Sequence, residues 1–280
     1  MKDIILYNEF HNGDLFYSRI FLNMLPDNAK IKYFHNCKPF LFCDYDNIEE
    51  LPFSEFHTFQ KSPNVPVVNT WIGQNNFVYL NSVNYGCSYE NHFFLAKKMA
   101  NSLGIEVDSD MDKYIPDINY NFLPNIENIK SKISDLKTKF EKIVLISNGD
   151  VHSGQSNNFD FTFVVNRLAH SKRNVLFLVT KDIETTMSNV MNTSSITEVI
   201  PDLLQIGYIS NFCDIIIGRA SGPFCFSHTK ENFLNKNKIF ISFCNNKNEG
   251  IFYQNQKSKY IWHNKYDNDN ILNLINNCNL

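Results

Sequence analysis

The stretch Lys142–Gly154, KIVLISNGDVHSG, decides how this chain is read. Ile143-Val144-Leu145-Ile146 is an unbroken apolar run, followed at once by Asn148-Gly149-Asp150. A strand without apolar/polar alternation is buried on both faces, as in a parallel sheet covered by helices. The same event occurs at the start. Ile4-Ile5-Leu6-Tyr7 runs into a polar loop, and Asn12-Gly13-Asp14 leads into Phe16, Ile20 and Met24 at helical spacing. Two restarts of one pattern predict two α/β units, over residues 1–124 and 125–280.

Working outward, the first unit predicts strands at 3–8, 31–34, 39–43 and 67–69. Its helices end at Pro26 and, over 90–103, at Gly104. Residues 114–128 carry Pro116 and Pro124 without clear periodicity and are expected to be the linker, with a charged helix at 126–139. The second unit predicts strands at 142–146, 175–179, 196–199, 214–217 and 238–242. Helices are expected at 159–170, 182–191, 203–212 and 268–277, and a Gly/Pro-bearing loop at 218–228. Strands alternating with helices give an α/β fold class, two Rossmann-like doubly wound domains facing a cleft.

The chain has 280 residues, 43% of them hydrophobic, which suffices for a sizeable core. A net charge of -3 argues against a broad basic face, so no nucleic-acid partner is expected. The seven cysteines are odd in number and scattered without a Cys-x-x-Cys pair, which fits reduced thiols and a cytoplasmic setting. No secretory signal and no apolar run of about 20 residues is visible. Docking at the inner face of a membrane stays compatible with these features.

In doubly wound sheets, ligands bind beyond the carboxyl ends of strands. That rule turns the two Asn-Gly-Asp loops into candidate cleft walls, although Asn-Gly is also a favoured turn and Asp a favoured helix cap. A second signal is late: DLLQIGYISNFCDIIIGRASGPFCFSH, residues 202–228. A helix and a buried strand run into Gly218-Arg219-Ala220-Ser221-Gly222-Pro223, where small residues leave room for a ligand and Arg219 brings charge for a diphosphate. Ser153, Gly154 and Gln155 are further phosphate candidates. Thr70, Trp71 and Gln74 follow a strand of the first unit, and Trp71 is a candidate to stack on a sugar ring.

The 202–228 segment resembles the C-terminal signature of the ADP-heptose:lipopolysaccharide heptosyltransferase group, in which a Ser-Gly-Pro loop holds the donor's phosphates. His11-Asn12-Gly13-Asp14 resembles that group's Gly-Asp loop. The resemblance implies a GT-B fold, Asp14 as general base and a donor site lined by Ser221, Gly222 and Pro223; Gly218 and Arg219 join that site on their residue types, and His11, Asn12, Gly13 and Arg19, where the group commonly has a proline at the last, are candidates for the acceptor side. Ala220 and Cys225 occupy places where the group carries Asp and His, which fits a wider nucleotide-sugar transferase relative. The implied activity moves a sugar from a nucleotide-sugar donor to a hydroxyl of a glycan or glycolipid acceptor, with inversion. The nucleotide-sugar is a co-substrate and no cofactor is expected. An epimerase or hydrolase on the same fold, or a binding module without activity, remains an alternative.

No metal site is expected. Asp44-Tyr45-Asp46, Asp108-Ser109-Asp110 and Asp267-Asn268-Asp269 match Asp-x-Asp only at the frequency that an Asp/Asn-rich chain gives by chance. The Asp108-Asp110-Asp112 run lacks the glycine and the closing glutamate of a calcium loop. G-x-G-x-x-G, the P-loop lysine motif and G-x-S-x-G are absent.

Overall fold

The structure is a computed structural model and describes residues 3–59, 64–73, 89–152, 154–219, 222–245, 253, 255–278 and 280. Two parallel sheets organise it. The first has four strands in the order β3-β2-β1-β4, from Asp3–Asn8 (β1), Lys30–His35 (β2), Ile48–Pro52 (β3) and Val67–Asn69 (β4). The second has six, in the order β10-β9-β8-β5-β6-β7. They are Lys142–Ser147 (β5), Val175–Val179 (β6), Val190–Asn192 (β7), Ile215–Arg219 (β8), Ile239–Phe243 (β9) and Lys259–His263 (β10). Every strand pairing in both sheets is parallel.

Each sheet starts in its middle and winds outward both ways. β1 pairs with β2 on one side and β4 on the other; β5 pairs with β6 and β8. The reversal opens a crevice at the carboxyl end of β1 and another at that of β5. The apolar run that opened the reading explains itself here. Val144 and Ile146 face one side of the sheet, packing with Val164 and Leu168 of helix Thr162–Ser171 and with Ile271 of helix Asn268–Asn276. Ile143 and Leu145 face the other side and join a different cluster. Period-two alternation thus sends both sets into apolar surroundings.

That second cluster is continuous between the two sheets. It takes in Leu6, Phe16 and Tyr33 from the first and Leu145, Leu178 and Phe240 from the second. Helix Asn12–Leu22 (α1) is buried along most of its length and packs against helix Tyr89–Ser102 and the short helix Gly222–Phe226. The Phe16 and Phe226 rings meet at 4.9 Å. At the start of α1, a Cβ on Gly13 would lie 2.8 Å from Cys225 Sγ, so a larger residue there would have to displace that thiol.

Several expected elements differ. Residues 39–43 form a turn, with Phe40 in the left-handed region at φ 62°. The apolar Leu41 and Phe42 point into the core from that turn, which imitates a strand pattern. Residues 182–191 are mostly irregular and end in β7, and 196–199 are not a strand. The half-buried edge strands β3 and β10 were not expected, because Ile48–Pro52 and Lys259–His263 mix charge with apolar residues. The 218–228 loop contains the helix Gly222–Phe226. The 114–128 stretch is no slack tether: Ile115, Ile118 and Leu123 are buried in the shared core. No helix among the described residues is long and apolar enough to cross a membrane.

Candidate active site

A cleft of about 550 Å³ lies between the two halves. One wall is the loop after β1 with the first turn of α1, contributing Phe10, His11, Asn12, Gly13 and Asp14. The facing wall combines Gly149–His152, which follow β5, with Gly222 and Pro223, which follow β8. The walls come close at one end: a Cβ on Gly222 would stand 3.5 Å from Asn12 Cβ.

Asp14 occupies the first turn of α1 behind the N-cap residue His11. Its Oδ2 accepts the His11 backbone N–H at 3.3 Å. Burial pushes the Asp14 carboxyl above the ordinary aspartate range, and hydrogen bonding and charge from His11 offset only part of that. A half-buried carboxylate with raised proton affinity, at the edge of a cleft, has the properties of a general base.

The two Asn-Gly-Asp loops both reach the cleft but are not equivalent. Asn12–Asp14 is helical, whereas Asn148–Asp150 directly follows β5 and no helix begins until Thr162. Asn148 is a buried brace. Its Oδ1 accepts the N–H groups of Thr180 and Lys181, and its Nδ2 donates to Lys181 O. Asp150 is exposed and ion-paired to Lys181 at 2.7 Å, which holds its carboxyl below the usual range.

Arg219 and Arg19, both assigned to ligand contact from sequence, are buried and do not line the cleft. Arg219 donates to the backbone carbonyls of Asn148, Gly149 and Phe159, and packs against the rings of Phe159 and Phe161. It shapes the Asn148–Gly149 loop from behind. Arg19 is bidentate to Asp44, at 2.8 and 2.7 Å, and donates to the carbonyls of Leu41 and Asp117. Asp44 is therefore committed to an internal pair, not to a metal-binding motif. Apolar neighbours on α1 hide this use of Arg19 in the sequence, where any arginine near a loop reads as a ligand contact.

Of the other sequence candidates, Gln155 lines the cleft while Gly154 and Gly218 do not. Thr70 is buried, bonded to Asn8 and Tyr33. Trp71 stacks on Phe10. Ser153, Ser221 and Gln74 lie outside the described residues.

Among the cleft residues that sequence reasoning missed, four bear on the chemistry. Lys38 reaches over the mouth to Asp202 at 2.5 Å, and is the single Lys or Arg among the described lining residues. It lies just before the 39–43 turn, in a stretch that the sequence assigns to no element. Tyr17 bonds His228 Nδ1 at 2.5 Å and its ring lies 4.5 Å from that of His92, which also lines the cleft. Burial drives His228 down to about 3, so its imidazole is neutral. Phe10 is the fourth. No group of three or more His, Cys, Asp and Glu side chains among the described residues is placed to hold a metal ion.

No protein-family profile and no curated protein sequence matches the chain. Solved structures do. A glycosyl transferase family 9 protein from Veillonella parvula superposes with a TM-score of 0.56 at 12% identity, covering 98% of this chain and 91% of that one. The E. coli ADP-heptose LPS heptosyltransferase II gives 0.51 at 11% identity, over 99% and 98% of the two chains. An E. coli heptosyltransferase solved with ADP gives 0.53 at 9% identity, over 98% and 97%. With two parallel doubly wound sheets here and nearly the whole length of both chains covered in each comparison, the chain has the two-Rossmann GT-B fold of these structures.

Proposed function

We propose that the protein is a glycosyltransferase that moves a sugar from a nucleotide-sugar to a hydroxyl of a glycan or glycolipid. The observation that carries this is the pairing of walls: a carboxylate of raised proton affinity on α1 and the Gly222–Pro223 turn line one cleft. The fold likeness to heptosyltransferases, one of them solved with ADP, supports a nucleoside diphosphate as the leaving group.

In this reading the donor lies along Gly222, Pro223 and Gln155, and the acceptor lies against His11–Asp14. A hydroxyl is a poor nucleophile near neutrality. Asp14 accepts its proton as the oxygen attacks the anomeric carbon, and the bond from that carbon to the diphosphate breaks on the opposite side. A single displacement inverts the centre. Charge gathers on the departing diphosphate, and Lys38, freed from Asp202, is the cleft cation in reach of such charge. No step calls for a metal, so activity is expected to survive chelator.

The test is a transfer assay over nucleotide-sugars and glycan acceptors, run on wild type and Asp14→Asn. Turnover should fall by about a thousandfold, within the range of general-base contributions, with nucleoside diphosphate binding retained. Full turnover of donor without acceptor would replace transfer by hydrolysis or epimerisation. Unchanged activity in Asp14→Asn would remove the carboxylate from the mechanism.

A further inference from the structure

The two crevices of a doubly wound sheet lie where the strand order reverses, and the one beside β1 brings the loops after β1 and β4 together. Phe10 comes from the first loop and Trp71 from the second. Their rings are stacked at 3.7 Å with 18° between planes. Phe10 is 38% exposed and lines the cleft; the indole covers one side of it and does not itself line the cleft. Phe10 thus offers part of its ring to a polar cleft.

The stack is held from several directions. Asn8 Oδ1 accepts the Phe10 N–H at 3.0 Å, and Asn8 Nδ2 donates to Thr70 Oγ1 at 3.3 Å. Thr70 N–H donates to Tyr7 O, and Asn69 Oδ1 accepts the Trp71 N–H at 3.0 Å. Cys37 donates its thiol proton to Phe10 O at 2.8 Å. Gly73 completes the seat: a Cβ there would stand 2.4 Å from Trp71 Cζ2 and 2.6 Å from Cη2. Matching side-chain turns at the ends of neighbouring strands, a thiol and an absent side chain all fix one ring pair. Such fixation lowers the entropy lost when a ligand settles on the ring.

We infer that Phe10, backed by Trp71, is a stacking platform for a pyranose ring of the acceptor. Phe10 is four residues before Asp14, and both line the same wall of the cleft, so the platform and the carboxylate face one space. The nucleotide's own loops, after β5 and β8, form the opposite wall, which favours a sugar over a nucleobase on Phe10. The inference rests on the transferase reading for the word acceptor, but the platform itself needs only a sugar. Trp71, expected from sequence to meet the sugar, is the positioning residue, and Phe10 is the contact.

The experiment uses the full chain and two probes, a panel of methyl aldohexo- and aldoheptopyranosides and ADP, with affinities from NMR titration. At least one pyranoside should bind, and Phe10→Ala should weaken it about tenfold, equivalent to about 1.4 kcal/mol, while Phe10→Tyr stays close to wild type. Gly73→Ala, which pushes the indole from its seat, should weaken the same pyranoside without lowering ADP affinity or the melting temperature. Three results overturn the inference: no pyranoside bound, a pyranoside affinity untouched by Phe10→Ala, or an ADP affinity that Phe10→Ala removes, which would make the ring a nucleobase platform. Pyranoside binding lost in Phe10→Ala, in a protein that transfers no sugar, would sink the transferase reading and leave the platform standing.

Discussion

On the proposed reading, Asp14 trades stability for chemistry. A carboxyl whose folded pKa is raised binds its proton more tightly in the native state than in the unfolded chain. Its contribution is therefore favourable at low pH and is lost as pH rises through the folded value. At pH 7 the charged form is a burden, so Asp14→Asn should raise the melting temperature by a few degrees while slowing transfer about a thousandfold. The wild-type kcat/KM should also fall on the acid side with a midpoint above the ordinary aspartate value of 3.8. His228 works in the opposite sense. It is fully buried and its proton affinity is depressed to about 3. The unfolded chain takes up a proton near pH 6.5 that the native state refuses, so stability should drop between pH 6.5 and 3 at up to about 1.4 kcal/mol per unit. Urea unfolding across that window, with His228→Gln showing a shallower slope, checks the assignment.

At the scale of elements, the central strands were readable, and of the four edge strands only Val67–Asn69 was. Ile4–Tyr7, Ile143–Ile146 and Ile215–Ile217 are apolar on both faces, and such runs have few alternatives to a central parallel strand. The edge strands Ile48–Pro52 and Lys259–His263 each have one neighbour and partial exposure, so their composition is free to drift. Asp14, Gly222 and Pro223 could be found because loop positions after central strands are set by topology. Lys38 and Phe10 could not, since their places depend on a turn and on a stack between distant loops. Arg219 shows the same limit: its residue type suggests phosphate, yet three carbonyls and two rings consume its guanidinium. Replacing it tests that use. Arg219→Lys keeps the charge but cannot span three acceptors, and should cost about 3 kcal/mol in stability, read by denaturant unfolding. Nucleoside diphosphate affinity should fall only indirectly, through a loosened Asn148–Gly149 loop.

Across the whole molecule, one apolar cluster spans the two sheets, so the two halves should unfold together. Phe226→Ala empties a site against Phe16, and should destabilise by about 3–5 kcal/mol. Calorimetry should give one transition before and after, with tyrosine and far-ultraviolet probes coincident. Two separated transitions would mean that the halves fold independently. The narrow approach of Gly13 to Cys225 gives a second test of the same contact, because a side chain at residue 13 must displace the Cys225 thiol at the junction of α1 with the Gly222–Phe226 helix.

The buried seam between the sheets bears on how this gene could be cut for laboratory work. A fragment ending after the first four strands would leave the greasy flank of α1, with Leu15, Phe16 and Ile20, in water. Its counterpart would bare Leu203, Ile206 and Phe226. Each piece produced by itself should therefore clump, and the pair made together in one cell should find each other and stay dissolved.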